Sequence, residues 1–256
     1  MKILALESSA LSAGAAVLTD GVLVSEQFVN NGLTHSATLA ALADKALADA
    51  GTELDGVDAI AVSAGPGSFT GVRIGVSLAK GLAFGAGKPV YGASSLEALA
   101  RLVCPRPGLV CPVMDARRGE FYNALFSYEG DRLLRLTPDR AIPAVQLARE
   151  LGEEQTVLIG DGAAKAAELI PDLTDGGSES GRRIFCAPAS VRFARASGVA
   201  LCAWESFLEG DMGVPADALR PSYLRLSQAE RERAGKGSQN SLQSAAPDDA
   251  PHESEE

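Results

Sequence analysis

Aromatic side chains make up only 5% of the 256 residues, so any core must be built mainly from Ala, Val, Leu and Ile. Histidine is scarcer still, with only His35 and His252. No His pair stands at i, i+4, which removes a histidine-based metal centre, and a Ser-His-Asp hydrolase would have to use His35. That residue opens a helical pattern, where a capping or half-buried role is the ordinary one. The four cysteines (Cys104, Cys111, Cys186, Cys202) match no spacing such as C-x2-C. A chain of this length needs no disulfide staples, so buried, reduced thiols are expected. Cations are in deficit: 23 Lys and Arg against 33 Asp and Glu leave a net charge of −10, which argues against a nucleic-acid surface. From Ser227 onward seven acidic residues face three basic ones. The remainder is therefore still acidic, and is expected not to hold tRNA or DNA by itself. No apolar run reaches the roughly 18 residues of a membrane span. The apolar start, MKILALESSALSAG, is interrupted by Glu7 after four apolar residues, where a signal peptide needs about 7–15 uncharged ones. It is read as a strand of a cytoplasmic chain.

What the chain does have is an internal repeat. KILALE (2–7), GAAVL (14–18) and VLVSEQFV (22–29) form a three-stranded meander, with Asp20-Gly21 a strong hairpin turn. A helix over 34–50 follows, with Thr34 as N-cap and Gly51 as stop. Strand VDAIAVS (57–63), the turn GPGSFTG, a helix over 71–85, strand PVYGA (89–93) and a helix over 95–103 complete βββαβαβα. After CPRPG (104–108) the order restarts: VCPVM (110–114), EFYNALFSY (120–128), RLLRLT (132–137), a helix over 143–151, TVLIG (156–160), a helix over 162–169, RIFCA (183–187) and a long helix over 190–210. The expected fold class is thus α/β, with two lobes each built on a mixed sheet flanked by helices. The lobes are assigned to 1–104 and, smaller or degenerate, 105–226. Residues 227–256 are polar, acidic and without apolar periodicity, and are expected to be a disordered tail. The stretch around 171–182, with PDLTDGGSESG, reads as loop.

The duplicated plan resembles that of the superfamily of actin, sugar kinases and heat-shock ATPases (ASKHA), whose hairpin turns hold nucleotide phosphates. Here those turns are ESSALSAG (7–14) and DARRGE (115–120). Glu7, Ser8 and Ser9 offer a carboxylate for a hydrated metal and hydroxyls for phosphate oxygens, or simply the capping groups of a hairpin. The two arginines of the second turn, Arg117 and Arg118, would face the first turn across a cleft, pairing with Glu7 or Asp115 in a salt-bridged lobe interface or binding an anion. GPGSFTGVR (65–73) brings amides to a helix N-terminus but lacks the Lys of a P-loop, so a tight strand-to-helix connection is the plainer reading. Gly160 and Gly162 open a helix as a phosphate loop would, a weak signal alone. Glu7, Ser8, Ser9, Asp115, Arg117, Gly160 and Gly162 together form a candidate vestigial nucleotide site.

Two helices carry too much apolar surface for a solvated face. In 34–50 a core stripe (Leu39, Leu42, Ala43, Ala46, Leu47, Ala50) is backed by Ala37, Ala40, Ala41 and Ala48. In 71–85 the stripe Val72, Val76, Ala79, Ala83 is joined by Ile74, Leu78, Leu82 and Phe84 around the helix. Gly71/Gly75 and Gly81/Gly85 are spaced for close approach. Such helices are buried on more than one side, by their own lobe or by another subunit. The second is expected, with contact residues Leu39, Ala40, Leu42, Ala43, Leu47, Val72, Arg73, Gly75, Val76, Ala79 and Leu82.

At this point ILALESSALSAGAAVL, His35-Ser36, AGPGSFTGVRIGVSLAKGLAFG, PVYGASSLEALA, MDARRGEFYNALF and PSYLR (221–225) resemble the TsaB-like family, once grouped with glycoprotease-like (M22) sequences. The likeness spans about 1–226 and is most specific in GPGSFTGVRIG. It implies a two-lobed ASKHA fold without catalysis of its own. It also implies pairing with a catalytic paralogue, TsaD, which an ATPase, TsaE, joins to place threonylcarbamoyl on the adenosine beside the tRNA anticodon. ATP, metal and tRNA would be met only through those partners, and a homodimer is expected when they are absent. TsaD-like chains bind metal through His-x3-His, whereas the corresponding SSLEALARL (94–102) has no His. The long tail departs from the family pattern. The competing reading is a free-standing ASKHA-type phosphotransferase with Asp115 as its acid; a metalloprotease lacks ligands.

Overall fold

The computed structural model describes residues 1–151, 154–169 and 184–225. The expected tail (227–256) and the loop around 171–182 lie outside them. Through Leu224 the chain forms a single compact unit. Its first half runs β1 (Lys2–Glu7), β2 (Ala13–Thr19), β3 (Val22–Val29), α1 (His35–Asp49), β4 (Ala59–Gly65), α2 (Phe69–Ala86), β5 (Val90–Ser94) and α3 (Ser95–Ala100). The second half runs β6 (Leu109–Asp115), β7 (Glu120–Asn123), β8 (Phe126–Glu129), β9 (Arg132–Arg135), β10 (Arg140–Pro143), α4 (Ala144–Glu150), β11 (Thr156–Ile159), α5 (Ala163–Leu169), β12 (Ile184–Cys186) and α6 (Ala196–Leu208).

The two sheets have the same order. The first is β3-β2-β1-β4-β5 and the second β10-β7-β6-β11-β12, with antiparallel meanders and parallel β4/β5 and β11/β12 additions. This is the two-lobed α/β architecture expected from the repeat. The second lobe departs from the reading in one respect. EFYNALFSY is not one strand: β7 pairs with Val113–Asp115 of β6, whereas β8 pairs with Leu109 and Val110. Asn123 sits at the break, wholly buried, and its Nδ2 donates to the carbonyls of Pro112 (3.0 Å) and Ala124 (3.1 Å) that the divergence frees. β8 and β9 then form an inserted hairpin, and the third strand of the meander is β10, whose Arg-Ala-Ile-Pro carries too short an alternation to stand out.

Both faces of the first sheet are covered. The period-2 alternation of β1 sends Leu4 and Leu6 toward α1 and α2, and Ile3 and Ala5 to the opposite face. That opposite face is covered by α6, from the far end of the chain: Val199, Ala200 and Ala203 meet Ala5, Ala16 and Ala61, small residues that let helix and sheet approach closely. The long helix expected over 190–210 begins only at Ala196, after an extended Arg195. Reciprocally, Leu96, Leu99 and Ala100 of α3 pack with Val110, Met114, Phe126 and Ile159 of the second lobe. The last helix of each lobe thus crosses to the other. The α3/α6 crossing is close enough that a Cβ on Gly198 would overlap the Ala98 carbonyl oxygen.

Candidate functional site

Ser68 is the N-cap of α2, accepting from Gly71 N (3.3 Å), and Gly87 ends the helix in left-handed conformation. Thr34 holds the N-cap position of α1 without a side-chain cap bond. Between those ends, Leu39, Ala43, Leu47, Val72, Gly75, Val76 and Ala79 are buried against β1, β2 and β4 in the lobe's own core, and Leu42 and Leu82 are half-buried beside them. Most of the expected contact set is therefore turned toward the lobe's own core; of that set only Ala40 and Arg73 are exposed, while Leu39 also lines the groove between the helices. The Gly71/Gly75 spacing serves an internal approach. A Cβ on Gly71 would overlap the Ser8 carbonyl oxygen and one on Gly75 the Ser8 hydroxyl, which itself donates to Gly71 O at 2.9 Å.

The outward strip is a different set. Ala37, Ala40 and Ala41 of α1 and Arg73, Ser77, Gly81 and Phe84 of α2 are exposed, with Ile74 and Leu78 half-buried in a groove of about 520 Å³ between the helices. Phe84 is 82% exposed, the most exposed large hydrophobic side chain among the described residues. At the N-terminal end of the strip the Arg73 guanidinium lies 3.7 Å from the centroid of Phe69 and its Nε donates to Tyr223 OH at 2.8 Å. Tyr223 in turn packs on Phe69 at 4.8 Å. The segment bearing Tyr223 is anchored by Ser222 N donating to Ala64 O (2.7 Å) and by the Val90–Val214 bridge. Phe69 and Tyr223 were missed as site residues; the string PSYLR so soon after an ordinary helix end was the available signal.

The candidate nucleotide residues are split between two places. Glu7, Ser8 and Ser9 are wholly buried under the 65–71 turn. Glu7 Oε1 accepts from Ser9 N and Ser9 Oγ, both at 2.6 Å, and Oε2 accepts from Ser63 Oγ. Burial pushes the Glu7 carboxyl above its usual range despite these bonds. The amide of Ser68, at the mouth of the glycine turn, donates to Ser9 O (2.7 Å), so that amide is engaged within the chain. His35 Nε2 meets Ala10 O at 2.8 Å, a packing role.

The second set gathers at the β6–β7 turn, where Arg117, Arg118 and Gly119 are successively left-handed. Asp115 accepts from Arg117 N (2.7 Å) and pairs with Lys165 Nζ (2.9 Å), a partner sequence reading did not anticipate. Partial burial pulls the Asp115 carboxyl upward, but Lys165 and the Arg117 amide outweigh it and hold it below its usual value. Gly160 (φ 118°) and Gly162 are required because a Cβ on either would collide with the backbone of Val113 and Met114. They press the 160–163 turn onto β6, so their plain role is packing. Among the described residues no three His, Cys, Asp or Glu side chains gather as metal ligands.

Comparisons with known proteins agree on one family. The model for "TsaD: tRNA N6-adenosine threonylcarbamoyltransferase" matches residues 31–230. The Bacillus subtilis protein named tRNA threonylcarbamoyladenosine biosynthesis protein TsaB is 31% identical over 232 residues, 90% of this chain and 96% of that one. Its Escherichia coli namesake is 30% identical over 241 residues, covering 92% of this chain and 100% of the relative. A Pseudomonas aeruginosa crystal structure, described as an uncharacterized protein with similarity to peptidase YeaZ, superposes with a TM-score of 0.72 at 25% identity, over 88% of this chain and 99% of that one. By sequence over nearly its whole described length, and by fold, this chain belongs to the TsaB family.

Proposed function

We propose that this chain serves tRNA threonylcarbamoyladenosine biosynthesis as a partner subunit. It docks a TsaD-like catalytic chain through the outward strip of α1 and α2, and a TsaE-like ATPase joins the pair. The relatives' names supply the process. The observation that carries the role is the strip itself: exposed Ala, Gly and Phe84 alongside an Arg73 braced on two aromatics. Such a face, apolar at its centre with an aromatic and Arg anchor, has the composition of a protein contact.

The internal bonding of Glu7 and of the glycine-turn amide favours this over a free-standing phosphotransferase. Those groups already have partners within the chain, whereas a phosphate site must leave them to the ligand. ATP, metal and tRNA are then met through the partners, in the cytoplasm. The test is reconstitution with a TsaD-like subunit, a TsaE-like ATPase, threonylcarbamoyl-adenylate and tRNA. Adding this chain should restore modification, and its Ser77→Arg form should not. Full modification without the chain would end the proposal.

A further inference from the structure

After α6 the chain returns along the outer edge of β5 as a strap pinned at two points. Val214 exchanges both main-chain bonds with Val90 (2.9 Å each), and Ser222 N donates to Ala64 O (2.7 Å). Gly92, exposed on the same edge, lies between the pins. The parallel ladder to β4 uses every second residue here, beginning with Pro89 O, which accepts from Ile60 N (3.1 Å). Gly92 falls in the other set with Val90, so its N–H and C=O point away from β4. An unbroken antiparallel register from the Val90–Val214 bridge would set Met212 opposite Gly92. Gly213, left-handed at φ 72°, turns the strap aside first, and Met212 is left 68% exposed. Among the described residues the Gly92 N–H and C=O therefore have no partner.

That pair opens into a cavity of about 370 Å³ bounded by the edge of β5, α6 and the strap. It shares no lining residue with the groove between α1 and α2. Ala93, Cys202 and Ala203 give it small apolar walls. Asp211, close in sequence to the first pin, and Arg220, close to the second, line it as well. Asp211 Oδ1 accepts from Gly213 N (2.8 Å), and Arg220 Nη1 donates to the Asp217 and Leu219 carbonyls. Neither side chain makes an ion pair among the described residues.

We infer that this cavity binds a free tripeptide with small side chains, laid along β5 as a short added strand that pairs with Gly92. The C=O of its first residue accepts from Gly92 N–H, and the N–H of its third donates to Gly92 C=O, the pattern of a parallel strand. The charges select that direction. Gly92 N–H lies toward the first pin, with Asp211, and its C=O toward the second, with Arg220. A parallel peptide thus brings its ammonium to Asp211 and its carboxylate to Arg220, whereas an antiparallel one would oppose like charges. The cavity is at the small end of ligand sites, which suits three small residues.

Titration of the ¹⁵N-labelled full chain with trialanine, followed by amide NMR, tests it. The Gly92 amide proton should move downfield and saturate as it gains an acceptor. Alanyl-alanyl-lactate, whose ester removes the third N–H, should bind roughly tenfold more weakly. Trialanine amide and N-acetyl-trialanine should each lose about tenfold or more, the first lacking the carboxylate and the second the ammonium. Arg220→Gln should weaken trialanine by a like factor and leave trialanine amide unchanged, and Asp211→Asn should do the same with the acetylated peptide. A misfolded variant would lose both ligands alike, so that pairing reports the contact and not the fold. No saturable shift of Gly92 with trialanine overturns the site. Equal binding by the ester shows that the edge of β5 is not read, and overturns it too. If the acetylated and amidated peptides bind as tightly as trialanine, the ends are not read and a free tripeptide is the wrong ligand.

Discussion

Glu7 shows how a residue type suited to chemistry can be spent on structure. A carboxylate at the first hairpin turn offers a metal-phosphate ligand, yet here it is wholly buried and bonded by Ser9 and Ser63. Its folded pKa is raised by desolvation, so the native state holds the proton more tightly than the unfolded chain does. Unfolding then releases a proton, and stability must fall as pH rises above the unfolded value near 4.5. Glu7→Gln keeps an acceptor for Ser9 and can donate to Ser63, so at pH 7–8 it should melt no lower than the wild type. That advantage should shrink as pH falls toward 4.5 in thermal melts across pH. The glycines divide in the same manner. Gly71→Ala forces a Cβ into the Ser8 carbonyl and should cost about 2–3 kcal/mol in denaturant titrations. Gly81→Ala meets nothing and should be neutral or stabilising by up to about 1 kcal/mol in dilute protein.

Elements were legible in the sequence where their periodicity was long. The first meander, α1, β4 and α2 follow from alternation, a hairpin Asp-Gly and a helical pattern read over 71–85, where the helix runs Phe69–Ala86. In the second lobe the strands are four residues or fewer after β6, and the split at Asn123 depends on a pairing to opposite ends of β6 that no local pattern encodes. The outward strip proposed for docking was half legible. Both helices are apolar all round, but which stripe faces the sheet is settled by the approach of Gly71 and Gly75 to Ser8, a contact distant in sequence. The exchange of α3 and α6 was likewise invisible, because both helices look like ordinary lobe helices. It makes a prediction of its own: Gly198→Ala pushes a Cβ into the Ala98 carbonyl at the α3/α6 crossing and should destabilise by about 2–3 kcal/mol by chemical denaturation. A loss under 0.5 kcal/mol would mean that the crossing is looser than described.

For the whole molecule, the exchanged helices mean that neither sheet keeps both of its covered faces without the other lobe. α6 covers the first sheet and α3 the second, and Glu97 of α3 binds Arg135 of β9 at 3.0 Å. The two lobes should unfold together. The only tryptophan, Trp204, is on α6 and reports the first lobe's cover. Its fluorescence and the far-UV circular dichroism should therefore share one denaturant midpoint, and separated midpoints would contradict the clasp. A chain clasped in this way would present a fixed face, as the proposed partner role requires. That role is tested most directly by calorimetric titration of the chain into a TsaD-like subunit. The wild type should bind with defined stoichiometry. Ser77→Arg, which changes only an exposed position at the centre of the strip, should weaken binding at least about a hundredfold while melting like the wild type. Equal binding by the two would contradict the account.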